Sequence, residues 1–289
     1  MTVDADTFLC GPLACGVLLA ARDAGYTAAD VVEPAVSFSL VVAARAAIDP
    51  WDGDFESAVA EVLAQRASLR SFAREVLAQP GVSWWLSPVA RGSQVHGHGA
   101  TTGPTTTLGS SVYAQSPRHA TVTSTRVGGD TCHDAITAHH LGDGEPDPSP
   151  TRTLLHADHG ARVFEINSAE SWHQLAHRYP LADATPQRER GGLAPDWNAV
   201  ARDWDGVHLS LFGYLAATHV PLGNGDDTTV LWTWDGEQTC WLRDVLTPAD
   251  TVPAASDADR MPPARLRLRS LDHARDETVH SRRLRRSDR

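Results

Sequence analysis

Fourteen histidines and four cysteines are the first chemistry the sequence offers. Eight of the histidines (His96, His98, His119, His133, His139, His140, His156 and His159) lie between residues 96 and 159, around Cys132. Imidazole and thiolate are the donors zinc prefers, and imidazole also suits copper. In HADH, His156 and His159 stand three apart, which suits one face of a helical turn; CHDAITAHH sets Cys132 seven residues before His139. Cys132, His133, His156 and His159 are therefore the candidate ligands of a zinc or copper site, although no stretch has the HExxH or paired CxxC spacing. His173 and His177, one helical turn apart, can hold a metal or face water. The acids Asp203, Asp205, Asp226, Asp227, Asp235 and Glu237 would form a paired-acid or Mg²⁺ site if the GNGDD loop folds back on residues 234–238; GNGDD equally makes a polar turn. Nine tryptophans offer core packing or a stacking platform for a base or a nicotinamide. GHGATTG (97–103) can cradle a phosphate through backbone N–H groups, but no P-loop, G-x-G-x-x-G or G-x-S-x-G is present.

Composition narrows the field. The chain has 289 residues, 42% hydrophobic and 21% charged. That is enough apolar surface for a real core, and it excludes collagen-like, coiled-coil and fully disordered chains. All 25 basic residues are Arg. Without Lys there is no Schiff base and no lysine general base; the Arg and Ala bias is what a GC-rich genome gives. Net charge is −11, with residues 257–289 holding ten Arg against six acids. The acidic body repels nucleic-acid backbones, so only the Arg-rich tail is suited to an anionic partner. Scattered cysteines indicate a reducing, cytoplasmic compartment without a disulfide framework. The apolar stretch Phe8–Ala21 follows Asp4 and Asp6 and is broken by Gly11, Pro12 and Gly16, which argues against a secretory signal or a membrane span.

The elements that must position these groups fall into an α+β plan: a helical region over 1–80, a mixed α+β region over 81–250 that carries the chemistry, and an Arg-rich tail over 251–289. Apolar runs at 8–21 and 35–48 suit buried helices. Between Phe55 and Leu77 the apolar residues keep helical spacing, and Val62, Leu69 and Val76 recur every seven residues. Pro80-Gly81 ends that pattern. TVTSTRV (121–127), ARVFEI (161–166) and GVHLSLF (206–212) read as strands. Asn167 or Ser168 caps a helix bearing Trp172, Leu175, Ala176 and Tyr179, with Glu170 placed for a capping box. TTVLWTW and TCWLRDV flank Asp235-Gly236, a hairpin signal that would set Trp232 and Trp234 across from Trp241.

An ordered set runs through this second region: Arg91 in VARG, Thr123-Ser124-Thr125 followed by Arg126, Trp204 in WDGV (204–207), and Glu237 in WDGEQTCWL. Over residues 84–243 the set resembles the ADP-ribosyltransferases. The resemblance implies that Arg91, with Arg126, binds the NAD phosphates. It further implies that Thr123 and Ser124 sit on the strand that props the nicotinamide ribose, that Trp204 marks the start of a late strand at the cofactor, and that Glu237 contacts the ribose. The middle motif reads Thr-Ser-Thr, and Glu237 stands between Gly236 and Gln238 without a clear ExE. The expected activity is NAD-dependent ADP-ribosyl transfer or NAD glycohydrolysis. As the bond to nicotinamide breaks, positive charge builds on the ribose; Glu237 and Ser124 would stabilise it while guanidinium groups hold the diphosphate. The partner is then a small nucleotide together with water or a macromolecular acceptor. The alternatives are the zinc or copper protein above and a non-catalytic interaction protein using a Trp-rich surface.

Overall fold

The computed structural model describes residues 4–48, 54–96, 109–110, 117–118, 120–132, 134–136, 151–181, 192–232 and 234–253. It is an α+β fold, with helices first and a mixed sheet after them. The helical layer comprises α1 (Ala5–Phe8), α2 (Pro12–Ala24), α3 (Ala28–Val31), α4 (Pro34–Ala47), α5 (Phe55–Ala64) and α6 (Arg66–Leu77). Proline opens both α2 and α4, where its fixed φ suits the first helical position. Gly25, at φ 78, closes α2. The single helix expected over 55–77 is two, because the chain breaks at Gln65. Val62, Leu69 and Val76 are all fully buried, but the break ends the heptad too early for a coiled coil. A 3₁₀ stretch, Pro80–Leu86, leads out of the layer.

The sheet strands are β1 (Gln94–His96), β4 (Thr121–Thr125), β5 (Thr151–Ala157), β6 (Val163–Ile166), β7 (Gly206–Leu209), β8 (Gln238–Trp241) and β9 (Leu246–Pro253); β2 (Gly109–Ser110) and β3 (Pro117–Arg118) form a separate ladder. The order is β6-β7-β8-β4-β1-β5-β9. Only β6 and β7 are parallel, as their crossover through α7 (Ala169–Arg178) and α8 (Trp197–Asp203) requires. Ser168 caps α7, and its capping-box partner is Ser171, one residue beyond the expected Glu170.

Two expectations are corrected. GVHLSLF is a strand only to Leu209; Ser210 then accepts from Gly213 N–H and starts α9 (Leu211–Ala217). The turn at Asp235-Gly236 does not close a hairpin. It delivers the chain into β8, whose neighbours are β4 and β7, while 229–231 makes only isolated bridges to Gly192, Leu222 and Thr218. Trp232 and Trp234 therefore face no partner across from Trp241: Trp234 is buried near Trp197, and Trp232 packs edge-on to Phe55 and His219.

One core unites the helical layer with the sheet. Phe8 stacks on Phe212 at 5.1 Å, and Ile166, Val207, Leu209 and Cys240 reach the same core from the sheet. The approach between α9 and the end of β6 is close enough to demand glycine: a Cβ on Gly213 would stand 2.3 Å from the Ile166 carbonyl oxygen. Gly213→Ala should cost about 2–3 kcal/mol in urea unfolding, since both sides of the clash are backbone. β9 continues to Pro253, past the expected boundary at 250; residues 254–289 lie outside the described residues. No helix among the described residues is long and apolar enough to cross a membrane.

Candidate active site

Register builds the site. Side chains alternate along a strand, so paired positions share a face. The pairs Glu165–His208, His208–Thr239, Thr239–Thr123 and Thr123–His96 carry one polar row across β6, β7, β8, β4 and β1. The adjacent positions Ile166, Val207, Leu209 and Cys240 go into the apolar core. Glu237 stands one residue before β8, beside the end of β4, and completes the row at its polar end.

Ser124 and Glu237, 113 residues apart in sequence, are in direct contact. Ser124 Oγ donates to Glu237 Oε2 at 2.6 Å and lies 2.7 Å from the Glu237 carbonyl oxygen. The Thr125 backbone N–H donates to the same carboxylate, 2.9 Å from Oε2 and 3.2 Å from Oε1. His208 Nε2 donates to Oε1 at 3.1 Å. The other ring nitrogen, Nδ1, is 2.5 Å from Glu165 Oε2, and Glu165 Oε1 accepts from Val89 N–H at 3.1 Å. Glu237 and His208 are 7% and 2% exposed, while the Glu165 side chain, at 29%, reaches solvent.

Burial by itself would push the His208 imidazole down. The hydrogen bonds and charges of Glu165 and Glu237 on its two nitrogens outweigh that and lift it to about 9. At neutral pH it is an imidazolium donating to both carboxylates, which fixes both nitrogens as donors. Glu237 thus accepts from a hydroxyl, an amide and an imidazolium. The Thr125 N–H is shared between the two oxygens, so each carboxylate oxygen already faces two donors.

No protein-family model matches the chain, and no curated protein or solved structure matches it.

The other expected residues divide. Arg126 follows Thr125 directly; it is half-buried, and its Nε donates to the Gly129 carbonyl at 3.3 Å. Arg91 lies in the connector into β1 and donates to the Ala161 carbonyl at 2.9 Å, committing one arm of its fork away from Glu237. Thr123 is fully buried, donating to the Gln94 side-chain oxygen and accepting from Trp241 Nε1–H at 2.8 Å. It supports the strand and has no hydroxyl left to offer. Trp204 is misplaced for a cofactor contact. It precedes β7, whose far end, Leu209, is what pairs with Gln238 beside Glu237. Its N–H donates to the Tyr179 hydroxyl and its ring packs edge-on to Phe164.

The described members of the expected metal set, Cys132, His156 and His159, do not come together. His156 lies on β5 and His159 in the turn after it, so they never share a helical face, and both are exposed. Cys132 is buried against Gly236. His133, His139, His140, His119, His98 and the 97–103 loop lie outside the described residues. Among the described residues no group of three or more His, Cys, Asp or Glu could hold a metal. The acids also disperse: Asp203 binds Tyr179 and Arg178, Asp205 binds Arg162 and Arg243, and Asp235 binds Arg45. His173 contacts the Thr229 hydroxyl, and His177 the Asp227 carbonyl. Burial pushes the Cys15 and Cys132 thiols up to about 12 and that of Cys240 higher still, while Cys10 is exposed. A thiol-reactive dye should therefore titrate one cysteine in the native protein and all four after denaturation.

His208, Glu165 and Arg45 were absent from the sequence-derived site. A signal existed for two of them. VFEI and GVHL are short apolar strands, half-buried and buried respectively, each interrupted by a single ionisable residue, a pattern that favours a partner across the sheet.

Proposed function

We propose that the protein cleaves NAD at the nicotinamide–ribose bond, transferring the ADP-ribosyl group to water or to an acceptor. The observation that carries this reading is the Ser124–Glu237 contact, a buried hydroxyl and carboxylate held together by adjacent strands. Arg91 lies three residues before β1, Ser124 on β4 and Glu237 one residue before β8, and these three strands are neighbours in the sheet. In the reaction the C–N bond breaks with its electron pair leaving on nicotinamide. The incoming oxygen or nitrogen then bonds to the ribose carbon and gives up a proton. The Glu237 carboxylate faces the developing positive charge, and a ribose hydroxyl donates to Oε1 in place of the longer Thr125 contact. His208 and Thr125 N–H keep that carboxylate from swinging, so the stabilisation is in place before the reaction starts. Arg126, half-buried three residues from the strand centre, supplies a charge for the diphosphate.

Purified protein incubated with NAD, alone and with candidate protein or nucleotide acceptors, should release nicotinamide. NAD left intact in every mixture overturns the reading. Arg126→Ala should raise KM for NAD about tenfold with little change in kcat, the mark of lost binding that is equal in ground and transition states.

A further inference from the structure

We propose that Arg45, on α4 of the helical layer, is a positioning residue for Glu237, which makes that layer a working part of the active site. The proposal rests on the reading of Glu237 as the carboxylate that acts on NAD. Arg45 is 6% exposed, in the last turn of α4. Its Nη2 donates to Asp235 Oδ1 at 2.7 Å; Nη1 donates to the Tyr214 hydroxyl at 3.1 Å and reaches the Trp234 carbonyl oxygen at 3.5 Å. The guanidinium thus grips two consecutive residues, one by its side chain and the other by its backbone.

Gly236 follows at φ 85, and a Cβ there would lie 2.8 Å from Cys132 Sγ. The turn is therefore also packed against Cys132 and Ile136, and Trp234 is fully buried. One residue separates the gripped Asp235 from Glu237, so a shift of the turn passes directly to the carboxylate. The Asp235 side chain is 45% exposed, so it does not fill the core. A buried guanidinium is costly to desolvate, and an apolar residue of similar volume would pack there without that cost. What the ion pair adds is a fixed place for the turn.

The test compares Arg45→Met and Arg45→Lys with the starting protein by two readouts. The first is kcat and KM for nicotinamide release per folded protein. The second is the nuclear magnetic resonance signal of the His208 Nε2 proton, taken without NAD, which reports where Glu237 sits. Arg45→Met should lower kcat about 10- to 100-fold, the scale of an ångström of misplacement, leave KM within about twofold, and move the His208 signal. Arg45→Lys, which keeps the charge but not the fork, should recover part of both. A lower melting temperature with kcat per folded protein and the His208 signal unchanged overturns the proposal. If the starting protein leaves NAD intact, the NAD reading fails by itself; a moved His208 signal then still supports the placement of Glu237 by Arg45, and an unmoved one overturns it. Should Arg45→Met fail to fold, Asp235→Asn cuts the same ion pair from its exposed end and is read in the same two ways.

Discussion

Glu237→Gln should lower nicotinamide release from NAD by about 100-fold or more while the protein stays folded. The carboxylate is the negative charge in contact with Ser124, and a neutral amide cannot stabilise a cationic ribose in the same way. The fold survives because the amide can still satisfy its neighbours. Its carbonyl oxygen accepts from Ser124 Oγ and Thr125 N–H, and its NH₂ turns toward His208 Nε2. That nitrogen must then give up its proton and accept, leaving Nδ1–H for Glu165. The substitution therefore carries its own diagnostic: the His208 titration should fall from about 9 to well below it, readable in the ring proton shifts. Retained activity, or an unshifted His208, would show that Glu237 is not engaged as the geometry indicates.

His208→Phe should remove about 3–5 kcal/mol of stability, the scale of breaking a buried ion pair from one side. Both Glu237 and Glu165 would lose their cationic donor, one of them in a place with almost no water. The same residue sets a pH dependence. Its native pKa is raised above the unfolded value of 6.5, so its contribution is complete below pH 6.5 and is lost as pH climbs through about 9. Melting temperature should fall across that window in the parent protein, and the fall should be much smaller in the His208 variant. His219 acts in the opposite sense. It is buried with both ring nitrogens unpaired, and burial, helped by the Arg45 charge, pushes it down to about 3. The unfolded chain takes up that proton first, so stability drops as pH falls from 6.5 toward 3. The two histidines together place maximum stability near pH 6.5, which a series of thermal melts from pH 4 to 9 would check.

Much of the architecture was legible because it depends on local signals. The apolar runs 8–21 and 35–48 lie largely in buried helices, Ser168 caps α7, and ARVFEI carries β6. Non-local competition decided the misreadings. Asp235-Gly236 has hairpin chemistry, yet β8 gains more by pairing with β4 and β7 than with the segment just before it. Ser210 sits in an apolar run that reads as strand, but its hydroxyl caps a helix instead. In the site, Ser124 and Glu237 could be named from residue type and order. Arg45 could not: nothing in PAVSFSLVVAARAA tells that its one charge is buried against residue 235. Arg91 and Trp204 were named from order alone, and the fold turns one to a carbonyl and leaves the other at the wrong end of its strand.

The place of β8 has a consequence for how the protein comes to exist during synthesis. It wedges between β7 and β4, so until it arrives the strands form two half-sheets, β6-β7 and β4-β1-β5, each with an unsatisfied edge. The wedge carries Glu237 at its leading end. A nascent chain stopped short of residue 237 thus holds neither a continuous sheet nor Glu237, and both arrive in one late step. Shortened chains of this kind should clump through those open edges and be inert toward NAD.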